Sequence, residues 1–415
     1  MNLGTETLPP ACDVLVIGAG PAGSAAALTL ARAGLDVVLV DSQAFPRDKV
    51  CGDGLIPDAH AALRKLGVLD AVMAEAQSSG FVGCIGPRGG RIDVPGELAV
   101  LPRKQLDLIV CRAAVAAGAR MFAPLRFVAP LEAEGRVIGA QLQHGDTTRE
   151  LRARWLLLAT GAVPQALLAA GMSSRHTPSG VALRGYVKND AMVGRISALE
   201  IVWHRALTPG YGWIFPCRDG VFNIGVGIAD SHTEHKNGKL TKREVNLRQV
   251  MDDFQKVYAP ARELMQGGTP LGPMKGAPLR CTLEGARYTR PGLLVIGEAA
   301  GSTYSFTGEG IGKALETGIH AAEAVLAGAK ADAATADATV RADYEARLAA
   351  LKPRFDLYQR ANVVNRHPWL TDLLIWRAQK SPRIVRRMSG VLNETSNPGN
   401  LVSVKGIARL FLDRR

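Results

Sequence analysis

The chain opens with an apolar run that predicts a strand buried on both faces. Residues 12–17 are almost wholly apolar, as expected for a parallel strand covered by helices. Apolar residues at helical spacing follow from Pro21 to Gly34 and stop at a glycine, which is typical of a helix. A second apolar run at 36–40 closes with Asp41. Together these segments predict one β-α-β unit.

Shorter apolar and alternating runs through the middle of the chain predict many strands between a few helices. The expected helices lie at 58–76, 103–119 and 311–327, and strands are expected within 80–102, 120–160, 180–230 and 292–301. From Val340 onward the pattern is helical, with breaks expected at Pro353, Pro368 and Pro382 because proline removes a helical hydrogen bond.

This order of elements predicts an α/β protein with an α+β insert, because strands from both ends of the first 300 residues fit one sheet. We expect a Rossmann-like nucleotide-binding domain from 1–80, 100–175 and 280–330, a mixed-sheet substrate domain from 81–99 and 176–279, and a basic helical C-terminal region at 331–415.

Composition and charge favour an enzyme-like globular protein with an uneven surface. With 415 residues, 47% of them hydrophobic, the chain can bury a large core. The net charge is +12, and residues 341–415 carry fifteen Lys and Arg against six Asp and Glu. This basic end has two interpretations: a solvated surface, or peripheral contact with anionic lipid headgroups. No nucleic-acid motif accompanies it, so no nucleic-acid partner is expected.

The absence of other signals gives further expectations. No secretory signal and no apolar run of eighteen residues is visible, so no membrane span is expected. The six cysteines are scattered and the eight histidines show no ligand spacing, which predicts neither a disulfide framework nor a metal site. We expect a cytoplasmic protein, with a monomer favoured, in peripheral contact with the inner face of the membrane if the lipid interpretation holds.

A glycine pattern between the first strand and helix predicts a dinucleotide site. Gly18, Gly20 and Gly23 form G-x-G-x-x-G. The first glycine permits a tight turn, the second lets the backbone approach a pyrophosphate, and the third lets the helix pack closely. The helix N-terminus adds partial positive charge, and Asp41 ends the next strand where a ribose hydroxyl is bound in such folds. Both FAD and NAD use this pattern.

A second glycine-rich turn lies far downstream in "LLVIGEAAGSTYSFTGEGIGKALETG" at 293–318. Glu298 follows a predicted buried strand, and Gly308 and Gly310 precede a helix that begins at Ile311. Two turns at the carboxyl edge of one sheet can hold an extended cofactor at both ends. The helix N-terminus can stabilise negative charge on a reduced ring, which favours FAD.

These motifs and three further blocks resemble the geranylgeranyl reductase family of FAD-dependent flavoproteins, which have the para-hydroxybenzoate hydroxylase fold. The further blocks are "FPRDKVCGDGL" at 45–55, "PRKQLD" at 102–107 and "PGYGWIFP" at 209–216. The resemblance runs from residue 12 to about residue 325. In that family an aspartate usually stands where this chain has Glu298.

The resemblance implies FAD as cofactor, with NAD(P)H or another reductant as a transient electron donor, and an apolar, prenyl-lipid-like substrate. The residues it places around FAD are Gly18, Gly20, Ala22, Gly23, Asp41, Arg103, Glu298, Gly308, Gly310 and Ile311. It implies that Tyr211, Trp213 and Phe215 line the substrate cavity and that Cys51 faces the flavin.

The residues themselves leave alternatives open. Cys51 is either a small buried packing residue or, in its tight charged loop, a proton donor. Tyr211, Trp213 and Phe215 alternate, so they share one face of a strand, which is either core or cavity wall.

Three functions fit these observations. The first is reduction of carbon–carbon double bonds in a prenyl chain. The second is flavin-dependent monooxygenation or halogenation, although "YGWIFP" stands where halogenases have W-x-W-x-I-P. The third is a non-catalytic, membrane-associated electron-transfer flavoprotein.

Overall fold

The computed structural model describes residues 8–229, 232–234, 240–242, 245–330, 332 and 335–398. Its strands are β1 (Ala11–Ile17), β2 (Val37–Val40), β3 (Gly54–Leu55), β4 (Gln77–Ile85), β5 (Arg91–Val100), β6 (Arg120–Phe122), β7 (Arg126–Ala133), β8 (Arg136–His144), β9 (Thr147–Leu158), β10 (Gly180–Lys188), β11 (Leu199–Val202), β12 (Gly210–Pro216), β13 (Val221–Ile228), β14 (His232–Glu234), β15 (Leu240–Lys242), β16 (Thr269–Pro270), β17 (Lys275–Leu279), β18 (Thr289–Arg290) and β19 (Leu293–Val295). Its helices are α1 (Pro21–Arg32), α2 (Pro57–Lys65), α3 (Leu69–Glu75), α4 (Arg103–Ala116), α5 (Gln165–Ala169), α6 (Leu247–Val257), α7 (Ala259–Gly267), α8 (Ile311–Gly328), α9 (Ala336–Ala361), α10 (Val363–Arg366), α11 (Trp369–Ala378) and α12 (Pro382–Leu392).

The first sheet has the strand order β18-β19-β9-β1-β2-β6. The five strands β19, β9, β1, β2 and β6 run parallel, and β1 lies between β2 and β9. Helices α1, α4 and α8 cover one face, and the β7–β8 meander pairs onto the first half of β9. The last four residues of β1 are fully buried, as the apolar run predicted. The α/β class of the sequence analysis is confirmed.

The second sheet is mixed and has the order β16-β10-β13-β12-β11-β4-β5-β3. Its neighbours are antiparallel except for the parallel pair β11 and β4. Helices α6 and α7 pack on one face through Phe254 and Leu264, which are fully buried. The other face is therefore left for the cavity described below. The domain boundaries given above stay a prediction.

The helix expected at 58–76 is two helices in the structure, α2 and α3. Gly67 has a φ of +66°, and its N–H donates to the carbonyl of Arg64 while that of Val68 donates to Leu63. This is the hydrogen-bond pattern of a glycine-terminated helix. The expectation of one continuous helix was wrong because apolar spacing resumes after this local stop.

The break expected at Pro353 was also wrong, since α9 continues through it. Proline inside a helix costs roughly 3 kcal/mol. Tyr344 and Leu348 before Pro353, and Phe355 and Tyr358 after it, are almost fully buried in one core. Each contributes about 1.5–3 kcal/mol by burial, so packing outweighs the proline. Pro368 and Pro382 do lie at helix starts, as expected.

Among the described residues, no helix combines the length and apolar character needed to cross a bilayer. Helices α11 and α12 instead pack against β4 and β5 of the second sheet. The hydroxyl of Tyr358 donates to the carbonyl of Val391 at 2.7 Å, and Trp203 Nε1 donates to Asn365 at 2.8 Å. The C-terminal helices therefore bridge α9 and the second sheet.

Candidate active site

A cavity of about 710 Å³ lies where the two sheets meet. It begins at the carboxyl end of β1, passes the loop that carries Cys51, and ends among the C-terminal helices. Nine of the ten residues that the resemblance places around FAD line it, together with Cys51 and all three predicted aromatic residues. The tenth, Gly23, lies behind the glycine turn.

Two of the three glycines in the first turn are required by its shape. Gly18 has a φ of +103°, and a Cβ there would lie 2.3 Å from the carbonyl oxygen of Ala159. A Cβ on Gly23 would lie 1.8 Å from the carbonyl oxygen of Gly18. Gly18 therefore permits the turn and Gly23 the close approach of α1, as the spacing predicted.

Gly20 differs because it faces the cavity. The nearest atoms to a Cβ placed there are guanidinium nitrogens, at 3.6 Å in Arg47 and 3.7 Å in Arg103. The N-terminus of α1 points to the same place, since Gly20 is its N-cap. A helix N-terminus and two cations next to a bare backbone form an anion site.

Carboxylates hold both guanidinium groups in place. Arg103 binds Asp107 through two nitrogens, at 2.7 and 2.9 Å. Arg47 bridges Asp107 at 3.0 Å and Asp41 at 3.1 Å. The Asp41 carboxylate also accepts a hydrogen bond from the backbone N–H of Ala19 at 3.0 Å. Sequence reasoning found Asp41 and Arg103 but missed Arg47 and Asp107.

The second glycine turn lies at the other side of the cavity. Gly308 has a φ of +70°, and a Cβ there would lie 2.6 Å from the hydroxyl oxygen of Tyr211. A Cβ on Gly310 would lie 2.5 Å from the hydroxyl oxygen of Thr303, which itself contacts Glu298 at 3.4 Å. The turn leads into α8 at Ile311, so a second helix N-terminus faces the cavity.

Cys51 lies in the cavity wall and is partly buried. Burial raises the pKa of its thiol, and the Arg103 guanidinium and the backbone N–H of Asp53 act in the opposite direction. A thiol in this position keeps its proton at neutral pH. The same two donors can stabilise the thiolate that forms when the proton leaves.

A buried polar network that sequence reasoning missed supports the Cys51 loop. The side-chain amide of Asn223 donates to the carbonyl of Cys51 at 2.8 Å and to Asp53 at 2.7 Å, and its oxygen accepts from Trp213 Nε1 at 2.9 Å. The hydroxyl of Tyr186 donates to Asp53 at 2.5 Å. Burial raises the pKa of Asp53 to about 6. Asn223 thus ties the loop to the cavity wall.

A row of four aromatic rings forms that wall; three of them lie on β12, and Trp203 directly follows β11. The centroid distances are 6.0 Å from Trp203 to Tyr211, 6.3 Å from Tyr211 to Trp213, and 6.4 Å from Trp213 to Phe215. Residues of the C-terminal helices complete the apolar part of the cavity, namely Val364, Leu374, Ile375, Met388, Val391 and Leu392. The sequence predicted these helices but not that they line the cavity.

The donor set fits FAD. The anion site at Gly20 suits a pyrophosphate, Asp41 suits a ribose, and Glu298 suits a polyol chain. The second helix N-terminus suits an electron-rich ring. The two turns lie in one cavity, so a single extended molecule can reach both.

Comparison with known proteins also indicates that the chain binds FAD. A family model described as "FAD binding domain" matches residues 11–259. The chain is 35% identical to menaquinone reductase of Mycolicibacterium smegmatis, with 81% of each chain covered. It is 32% identical to digeranylgeranylglycerophospholipid reductase of Methanosarcina mazei, with 75% of this chain and 74% of that protein covered.

Solved structures share the fold at lower identity. A geranylgeranyl bacteriochlorophyll reductase-like protein of Thermoplasma acidophilum superposes with a TM-score of 0.71 at 21% identity, covering 97% of this chain and 96% of that one. The flavin-dependent brominase Bmp2 gives 0.70 at 19% identity, covering 97% and 98%. The chain therefore belongs to the FAD-binding flavoproteins of the para-hydroxybenzoate hydroxylase fold and, within them, to the geranylgeranyl reductase family of FAD-dependent oxidoreductases.

Proposed function

We propose that the protein reduces isolated carbon–carbon double bonds in the prenyl chain of a membrane lipid or lipoquinone. The proposal is carried by the apolar part of the cavity, whose aromatic wall leads to Cys51. A chain without polar groups fits a wall of rings and aliphatic side chains. The named relatives, reductases of menaquinone and of a digeranylgeranyl lipid, support the same class of substrate.

When bound in its reduced form, FAD would supply a hydride to one alkene carbon. Cys51 supplies the proton to the other, so the alkene π bond, the S–H bond and the donor's bond to the hydride break while two C–H bonds form. Arg103 and the backbone N–H of Asp53 stabilise the resulting thiolate, which takes a proton back from solvent. Asn223 holds the Cys51 loop and Trp213 in fixed positions relative to each other during this transfer. The two electrons come from NAD(P)H or another two-electron reductant.

Anaerobic turnover tests the reaction class. We expect enzyme loaded with FAD and reduced by dithionite to add two hydrogen atoms to each reduced bond of a prenylated quinone or lipid, as read by mass spectrometry. A saturated-chain analogue is the matched control and should remain unchanged. Conversion that requires stoichiometric oxygen, or insertion of oxygen or halide into the product, would instead support a monooxygenase or halogenase.

We further propose that the enzyme meets its substrate at the membrane surface through α11 and α12. Trp369 and Trp376 lie seven residues apart and therefore on the same face of α11. They are 58% and 44% exposed, and the Lys380 amine lies 4.6 Å above the Trp376 ring. Arg383, Arg386 and Arg387 are exposed on α12. Tryptophan beside basic residues is typical of interfacial helices.

The inner faces of the same two helices line the cavity through Leu374 and Met388. Leu348 and Phe355 of α9 are buried, whereas the two tryptophans of α11 are exposed. Residues 399–415, which carry part of the basic charge, lie outside the described residues.

Liposome co-sedimentation tests the membrane contact. We expect binding to vesicles containing phosphatidylglycerol, weakened by salt, and little binding to phosphatidylcholine alone. Changing Arg383, Arg386 and Arg387 to Glu should weaken binding by on the order of a hundredfold, at about 1 kcal/mol per basic residue. The same change at Arg149, Arg152 and Arg154, which are exposed on β9, is the matched control. Equal losses in both variants, or binding that ignores lipid charge, would contradict this proposal.

A further inference from the structure

Carboxyl groups outnumber cations in a buried cluster at the start of α8. The acid cluster consists of Asp58, Glu309, Glu316 and Glu394, with the cations Lys313 and Arg354. The hydroxyl of Tyr304 also faces it and donates to Glu394 at 2.7 Å, while Tyr358 stacks on the Tyr304 ring. The cluster draws its members from α2, the glycine turn, α8, α9 and the turn that follows α12.

Lys313 is the centre of the cluster. Its side chain is 2% exposed, and its amine lies 2.7 Å from Glu316, 2.9 Å from Glu394 and 3.6 Å from Asp58. Arg354 pairs with Glu394 from the opposite side. With all four carboxyl groups ionised, two negative charges would have no partner charge within the cluster.

The geometry indicates which carboxyl groups hold protons. The Asp58 side chain is 7% exposed, and both of its oxygens lack a hydrogen-bond partner among the described residues. An uncompensated buried charge costs several kcal/mol, so protonation of Asp58 is favoured because it removes excess negative charge from the cluster. Burial raises the pKa of Asp58 to about 7 and that of Glu309 to about 8, against the opposing effect of Lys313.

The acid cluster is in contact with the cofactor end of the cavity. Glu309 lines the cavity between Gly308 and Gly310. Asp58, on the first turn of α2, packs behind it against the first turn of α8, where a Cβ on Gly312 would be 2.3 Å from the Asp58 carboxylate. The protonatable groups therefore begin at the turn that faces the reduced ring and continue into the protein.

We propose that the acid cluster takes up a proton from solvent when bound FAD is reduced, with Glu309 nearest the cofactor and Asp58 sharing the charge. The added electrons place negative charge beside a cluster in which carboxyl groups outnumber cations, and they therefore favour proton binding by a carboxyl group that was ionised. A proton taken up with the two electrons of the reductant offsets this charge, and the cluster releases it on reoxidation. The inference rests on FAD binding and not on which double bond is reduced.

The test is the midpoint potential of bound FAD between pH 6 and 9, measured spectroelectrochemically without substrate. Each proton taken up with two electrons adds about 29.6 mV per pH unit to the slope. We expect Glu309→Gln to lose up to one such increment at about pH 8 and above, where Glu309 of the oxidised wild type is ionised. Its potential should match the wild type at pH 6, where the cluster is protonated, and exceed it at pH 9, where the ionised wild-type cluster opposes reduction.

Two further variants complete the test. Asp58→Asn should change the slope in the same direction. Glu316→Gln is the matched control: it removes another carboxylate that contacts Lys313, but one that is 31% exposed. The slope of this variant should match the wild type. Equal slopes in wild type, Glu309→Gln and Asp58→Asn would overturn the proposal, as would an equal change in Glu316→Gln. If Glu309→Gln fails to hold FAD, an unchanged slope in Asp58→Asn is sufficient to overturn it.

Discussion

Replacing Cys51 with alanine is expected to leave FAD bound and to lower alkene reduction by about 10²–10⁴-fold, the usual contribution of a general acid. Burial raises the pKa of this thiol, so it is protonated and ready to donate across the neutral range. Alanine keeps the packing and removes the proton. Serine, a much weaker acid, should be nearly as impaired.

Cys84→Ala is the matched control for this experiment. Cys84 also lines the cavity and is partly buried, and burial raises its pKa to about 12. Among the residues that the structure describes, no guanidinium group donates a hydrogen bond to Cys84 as Arg103 does to Cys51. Turnover of Cys84→Ala should remain within a few-fold of wild type. Near-normal turnover of Cys51→Ala, measured anaerobically with FAD content equal to wild type, would make Cys51 a packing residue.

Gly20→Val is expected to fold but to bind FAD more than about a hundredfold more weakly, because its side chain would occupy the space of the pyrophosphate. Gly20 has a φ of −72° and an extended ψ, which valine adopts readily. The atoms nearest to a Cβ placed at Gly20 are guanidinium nitrogens at 3.6 and 3.7 Å. The protein without cofactor therefore has room for the valine side chain. The measurements are visible absorbance and thermal stability with and without added FAD.

Gly80→Val provides the control, since Gly80 lies exposed on β4 and no described residue other than its chain neighbours has an atom within 4 Å of its Cβ position. That variant should remain yellow and release FAD on acid or heat treatment, because the cofactor is expected to be non-covalent. Stoichiometric FAD in purified Gly20→Val would contradict the assignment of this turn to the pyrophosphate. Gly23→Val is uninformative, since its clash at 1.8 Å lies within the backbone of the turn.

The parts of the fold and site that local sequence determines were predictable. A buried strand followed by glycines and a helix has few alternatives, so the first turn and Asp41 were found. The second turn was found because the carboxyl ends of parallel strands meet at one edge. Glu298, Gly308 and Gly310 accordingly lie across the cavity from Gly20.

Residues whose role depends on distant partners were not predictable in the same way. Asn223 contacts Cys51 across 172 positions of sequence, and Arg47 reaches Asp107 across 60. The network around Cys51 had one indication in the sequence, because a single Asn within the apolar run "VFNIGVGI" must be hydrogen-bonded if it is buried. Lys313, inside the apolar helix pattern of α8, gave a similar signal for the acid cluster. The continuation of α9 through Pro353 depended on core packing alone.

The placement of the C-terminal helices has a consequence for how this kind of enzyme can diversify. The residues predicted to hold the cofactor end at Ile311, whereas α10, α11 and α12 form one contiguous segment of about thirty residues that supplies much of the apolar wall. Substitutions or exchanges confined to that segment can reshape the space for a longer, shorter or branched chain while the cofactor cradle stays intact. Substrate range can thus evolve at the chain's end, independently of the redox chemistry.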